Sequence, residues 1–170
     1  MSDYRHLIDT ATTGGRYDVT PIFTDYSAFT HLVADLVAPF QDMAIEYVAG
    51  IDALGFILGT AVALRLAVGF LPIRKAGKIP VSTYSVSFVD YTRQHKALEI
   101  RPGVLPPGSR VLLVDDWIET AAQINAAIQL IHQVHSTVVG ITTVHIDANA
   151  ATHRLRATYP CHMVWDEPTS

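Results

Sequence analysis

The chain's strongest apolar runs are continuous, not alternating, and stretches with helical spacing separate them. "AIEYVAGI" (Ala44 to Ile51), "GFLPIR" (Gly69 to Arg74), "RVLLVDD" (Arg110 to Asp116) and "STVVGITTVHI" (Ser136 to Ile146) read as strands. Between them, Gly55 to Ala67 and Thr120 to His135 read as helices. A strand that is apolar on both faces must be covered on both, and intervening helices supply the cover. The expected fold class is therefore α/β, a doubly wound, mainly parallel sheet flanked by helices. Ligands of such open sheets sit beyond the carboxyl ends of the strands, where the strand order reverses. The unusual polar clusters of this sequence fall at those strand ends.

The remaining segments fit around that core. "DYSAFTHLVADLVAPF" has helical apolar spacing, with Asp25 or Ser27 as its cap, and is expected to pack on the sheet. The most membrane-like stretch, Ala53 to Leu71, is interrupted by Arg65 and three glycines. It reads as a buried helix broken at Gly69 and running into a strand, not as a membrane span. Between Lys75 and Pro107 lies a polar, proline-bearing segment expected to form a mobile excursion with two short antiparallel strands, Thr83 to Val89 and Lys96 to Arg101. At 170 residues with 49% hydrophobic content, the whole of 1–170 is expected to form one domain.

Composition excludes several function classes. A net charge of −4 gives no global basic field, so no nucleic-acid partner is expected. The single cysteine, Cys161, cannot form an internal disulfide, and no basic-then-apolar leader opens the sequence, so the expected compartment is the cytoplasm. His132 and His135 lie one helical turn apart but fit a solvated helix face as well as a metal pair, and His145, His153 and His162 show no ligand spacing. "GTAVAL" is helix packing, since no Lys-Ser/Thr follows to make a phosphate loop.

The acidic pair Asp115-Asp116 carries the most chemistry. Two adjacent carboxylates at a strand end repel unless something uses them. Followed by a tight turn and a helix, they offer acceptors for hydroxyls, while the turn and helix amides offer donors to an anion. A sugar phosphate has both groups. The alternative is that the pair only caps the helix. Trp117, next in sequence, could wall such a site or sit in the core.

Three stretches together resemble the type I phosphoribosyltransferases and, within them, the adenine phosphoribosyltransferase family. They are "VLLVDDWIETAAQ", "VAGIDALGFILGTAVALRLAVGFLPIRKAGKIP" (Val48 to Pro80) and "RYDVTPIF" (Arg16 to Phe23), in the family's order. The resemblance implies a type I phosphoribosyltransferase fold with a small N-terminal hood (about residues 1–24) and a flexible loop (about residues 75–107). It implies transfer of the phosphoribosyl group of phosphoribosyl pyrophosphate (PRPP) to a purine-like base, adenine foremost, with Mg²⁺ as cofactor and a homodimer as the assembly. Asp115 and Asp116 would hold the ribose hydroxyls, and the turn Glu119, Thr120, Ala121, Ala122 and Gln123 the 5'-phosphate. Ile51, Asp52, Ala53 and Leu54 would lie at the pyrophosphate, whose charge Arg74, Lys75 and Lys78 would neutralise. Mg²⁺ would arrive on PRPP without a direct protein ligand. Gly15, Arg16 and Tyr17 would meet the base. The family's acid and tyrosine of the flexible loop match Asp90 and Tyr91, or alternatively Ser87 and Phe88.

The sequence also departs from the family pattern. The family's Thr-Gly-Gly turn is Thr120-Ala121-Ala122, with Glu119 before it, and Leu54 stands where the family usually has arginine. Arg16-Tyr17 stands where the family has an aromatic followed by arginine. If both turn positions need a positive φ, each alanine costs roughly 1–2 kcal/mol. Two functions are therefore carried forward: a purine phosphoribosyltransferase, and a diverged protein that binds PRPP or a nucleotide without turnover.

Overall fold

The computed structural model describes residues 3–13 and 16–166. Its sheet has seven strands: β1 (Tyr47–Ile51), β2 (Gly69–Lys75), β3 (Tyr84–Val89), β4 (His95–Ile100), β5 (Arg110–Ile118), β6 (Thr137–Ile146) and β7 (Cys161–Met163). Their order is β3-β4-β2-β1-β5-β6-β7. The run from β2 to β7 is parallel, whereas β4 pairs antiparallel with both β2 and β3. The expected doubly wound sheet is thus present, and the strand order reverses between β1 and β5.

Among the described residues, five α-helices surround the sheet: α1 (Thr20–Thr24), α2 (Tyr26–Val37), α3 (Leu54–Leu66), α4 (Ala122–Gln133) and α5 (Ala150–Thr158). Helices α2 and α3 cover one face, where Leu32, Leu36, Leu58 and Val62 pack on Val48, Leu112 and Val114. On the other face α4 and α5 place Ile124, Ile131 and Leu155 against Leu71, Leu113 and Ile141. Leu112 and Leu113 are adjacent and both fully buried, one in each core, which is why β5 must be apolar throughout. The Asp25 carboxylate caps α2 by accepting from Ala28 N at 2.8 Å, a contact worth about 1 kcal/mol.

Several boundaries differ from expectation for identifiable reasons. Strand β5 continues through the acidic pair to Ile118, because Trp117 and Ile118 pair with His145 and Ile146 of β6. The break after α3 is made by Ala67, not Gly69: Ala67 adopts a left-handed conformation and its N–H closes back on the last helical carbonyls. The segment after β2 forms the expected pair of antiparallel strands, each within a residue of its expected ends, and Val86 and Phe88 pack against the core beside α4. The buried Glu99 carboxylate ties its entry loop by accepting from Lys78 N (2.7 Å) and Ile79 N (2.6 Å). Helix α5 and strand β7, absent from the sequence reading, complete the sheet's far edge. No helix among the described residues is long and apolar enough to cross a membrane.

Candidate functional site

Turns leave β1 and β5 side by side at the reversal of strand order, and close packing holds them there. A Cβ on Gly50 would meet the Gly55 carbonyl oxygen at 2.2 Å, and one on Gly55 would lie 3.0 Å from both Asp115 Oδ1 and the Val114 carbonyl. Larger residues at these two positions would push α3 off the sheet and separate the turns. The β1 turn, Asp52 to Leu54, contains a cis Asp52-Ala53 peptide.

The turns open into a cavity of about 270 Å³. Its lining brings together most of the residues singled out from sequence: Arg16 of the N-terminal segment, Asp52, Ala53, Leu54, Lys75, Asp90, Asp115, Asp116, Glu119, Thr120, Ala121, Ala122 and Gln123. Tyr91 also lines it, as do Phe88, Lys96 and Trp117. Ile51, fully buried at the end of β1, lies behind the turn and outside the lining. Arg74 and Lys78 lie outside it as well, where Arg74 Nη1 donates to the Lys78 carbonyl at 2.8 Å. Gly15 falls outside the described residues.

The two carboxylates of the acidic pair have different surroundings. Asp115 is 3% exposed, and its oxygens accept from Asp116 N (3.0 Å) and Gln123 Nε2 (2.9 Å). Burial, and then the charge of Asp116, push its pKa well above the usual carboxylate range. Neither aspartate caps α4, whose N-cap makes no side-chain hydrogen bond. Asp116 Oδ2 instead takes Arg16 Nη2 at 2.8 Å, and Arg16 Nε lies 3.0 Å from Glu119 Oε1. Burial opposes the charge on Arg16, but Asp116, Glu119 and Asp115 outweigh it and raise its pKa. Burial likewise raises the pKa of Glu119, against the pull of Arg16.

The β5 turn separates the two alanines. Ala121 has φ 61°, the left-handed conformation in which glycine is favoured, whereas Ala122 is the first residue of α4. Only one of the two positions therefore carries the backbone cost expected for both.

On the opposite wall, Asp90 anchors the turn of the β3–β4 hairpin. Its Oδ1 accepts from Thr92 N (2.9 Å), Thr92 Oγ1 (2.6 Å) and Gln94 N (3.0 Å), and its Oδ2 pairs with Lys96. Lys96, followed by the hydroxyl of Thr92, draws its pKa well below the usual carboxylate range. Of the alternative pair, Phe88 lines the cavity and the exposed Ser87 does not. Lys96 was missed from sequence because only hairpin pairing, Phe88 with Lys96 and Val89 with His95, brings it back to Asp90.

Tyr17 lies outside the lining. Its ring packs edge-on against Trp117 (5.7 Å) and Trp165 (5.4 Å), which docks the N-terminal segment on the sheet. Trp117 serves both roles considered for it, since it is among the residues lining the cavity and also belongs to the core, where Nε1 donates to Asp147 Oδ1 at 2.8 Å. Among the described residues, no group of three or more His, Cys, Asp or Glu side chains is arranged to hold a metal ion.

Buried acids, a turn leading into a helix and basic side chains on the facing strands form a receptor for a polar, charged ligand. Residues 27–164 match the family model described as the phosphoribosyl transferase domain. An adenine phosphoribosyltransferase of Dinoroseobacter shibae is 47% identical over 124 residues, covering 72% of this chain and 68% of the relative. The crystal structure of adenine phosphoribosyltransferase from Rhodothermus marinus superposes with a TM-score of 0.82 at 31% identity, covering 94% of both chains. That of the Giardia lamblia enzyme complexed with 9-deazaadenine gives a TM-score of 0.80 at 31% identity, covering 93% of this chain and 92% of the other. By sequence and fold together, the chain belongs to the phosphoribosyl transferase family, alongside its adenine phosphoribosyltransferases.

Proposed function

We propose that this protein transfers the 5-phosphoribosyl group of PRPP to adenine, giving the nucleoside monophosphate and pyrophosphate. The observation that carries the reading is the single cavity in which the β1 turn, the acidic end of β5 and the turn into α4 meet. Relatives named for this reaction, and one solved with an adenine analogue, support it.

In this reading the ribose hydroxyls donate to Asp116, which lines the cavity. Asp115 works from behind, orienting Gln123 and the start of α4. Positive charge develops at the sugar carbon as its bond to pyrophosphate breaks, and the neighbouring Asp116 carboxylate stabilises it. Lys75, at the carboxyl end of β2, faces the leaving group beside Asp52 to Leu54. Asp90 is the base for the purine proton, and it gains basicity only when Lys96 leaves it. A Mg²⁺ ion would enter on pyrophosphate with no direct protein ligand, on the side of the cavity lined by Asp52. Bound there, the ion would neutralise the leaving charge. We further infer a homodimer, for which Leu64 (77% exposed) and Ile57 (42%) on α3 offer an apolar face.

Pyrophosphate release from PRPP and Mg²⁺ across a panel of purine bases tests the activity, with turnover expected for adenine. Binding of PRPP without turnover on any base would favour a sensor. Leu54 lends that second reading some weight, because an apolar side chain in the β1 turn gives the pyrophosphate no cation.

A further inference from the structure

We propose that Arg16 is the receptor for the sugar's 5'-phosphate and that Glu119 is its positioning residue, an ion pair standing in for a glycine turn. The proposal rests on the phosphoribosyl reading above, moves Arg16 from the base to the phosphate and makes Glu119 the residue that holds it there. A carboxylate in a phosphate-binding turn would repel its ligand if it stood alone. Glu119 does not stand alone: its side chain is 17% exposed, and Oε1 lies 3.0 Å from Arg16 Nε. Asp116 grips the same guanidinium at Nη2, and the Arg16 carbonyl accepts from Thr12 Oγ1 at 2.7 Å. The guanidinium is thereby fixed at two edges and its backbone at a third point.

A guanidinium has five N–H donors in a rigid fork. One donates to Asp116, Nε lies within ion-pair distance of Glu119, and the outer edge of the fork is left to a ligand. The Arg16 side chain is 35% exposed and lines the cavity beside the turn that leads into α4. It is the cation on this side. Lys96 is paired with Asp90 on the hairpin, and Lys75 extends from β2 beyond the end of β1. Spare, planar donors held beside helix-terminal amides suit a phosphate monoester, which accepts from both. Glu119 then offsets its own charge by delivering the arginine, and the single left-handed alanine keeps the turn's path without the second glycine.

The test compares AMP with adenosine by calorimetry, since the two differ only in the 5'-phosphate. Wild type is expected to bind AMP at least about tenfold more tightly, an increment set by charge-assisted hydrogen bonds. Arg16→Gln should lower the ratio severalfold by weakening AMP more than adenosine, the helix-terminal amides keeping the rest. Arg16→Lys should retain part of it, keeping charge without the fork. Glu119→Gln should reduce the ratio severalfold with adenosine unchanged, and Glu119→Asp should recover some of the loss. Melting temperatures establish that each variant is folded. The proposal is overturned if Arg16→Gln weakens both ligands equally, or if Glu119→Gln tightens AMP, because Glu119 would then be a repulsive group selecting against phosphate. Wild type that binds neither ligand would remove the purine nucleotide reading together with the proposal. Binding of both with a ratio indifferent to Arg16 removes the proposal alone.

Discussion

Asp115 and Asp116 differ by one position and by nearly everything else. Asp115 has its pKa raised by burial and by its neighbour, so its protonated form is the one the fold prefers. A group raised in this way contributes stability that is fully present below the ordinary carboxylate range and is lost as pH rises through the raised value. Asp115→Asn fixes the neutral state, and Gln123 can turn its amide to keep the contact. The variant is therefore expected to melt at the same temperature as wild type in acid and above it at neutral pH, as measured by thermal unfolding across pH 4–8. If the two profiles run parallel, the charge on Asp115 is not what the fold resists. The sequence displayed the pair but not this division, which depends on which carboxylate faces Gln123 and which faces Arg16.

At the scale of the element, the β5–α4 turn decides what its two alanines cost. Ala121 sits at φ 61° and Ala122 is helical. Ala121→Gly relieves about 1–2 kcal/mol of left-handed strain, offset by about 0.5–1 kcal/mol of added chain entropy. Loss of a buried methyl removes roughly 0.8 kcal/mol more, leaving stability near wild type. Ala122→Gly has no strain to relieve and should cost up to about 1 kcal/mol in urea unfolding. Equal effects would mean that the turn rearranges in solution. Apolar runs made β1, β5 and β6 legible in the sequence, because strands buried on both faces leave no freedom in residue type, and β2 was legible although it buries only Leu71 and Ile73. Helix α5 was not legible: its "ATHRLRAT" is mostly polar, with Leu155 and Thr152 among its few inward-facing residues, and its start lies in the Asn149 capping box. The left-handed end of α3 was also hidden, since Ala67 occupies a position where a glycine would have announced it.

Across the whole molecule, the parallel sheet fixes where a ligand can bind and the added segments decide how it is held. Leu54 tests that division. It opens α3 at the cavity, half-buried against the core that carries α2 and α3. Leu54→Arg should strengthen pyrophosphate binding by roughly tenfold or more, the about 1.5–3 kcal/mol of a hydrogen bond to a charged group. Stability should fall by about 1 kcal/mol as the half-buried leucine loses its packing; calorimetry with pyrophosphate and Mg²⁺ measures the gain in affinity. Unchanged affinity would place the leaving group elsewhere. The site was readable in outline because the turns follow strands, whereas Lys96 and the Arg16–Glu119 pair depend on contacts between segments distant in sequence. The hairpin itself has one further consequence. It joins the sheet through only the Arg74–Glu99 and Lys75–Leu98 pairs, while six pairs hold its own strands together. Residues can therefore be inserted or deleted at the Asp90–Gln94 turn without shifting the register of any parallel strand, which makes this wall of the cavity an interchangeable module through which a chain of this family can acquire a new acceptor.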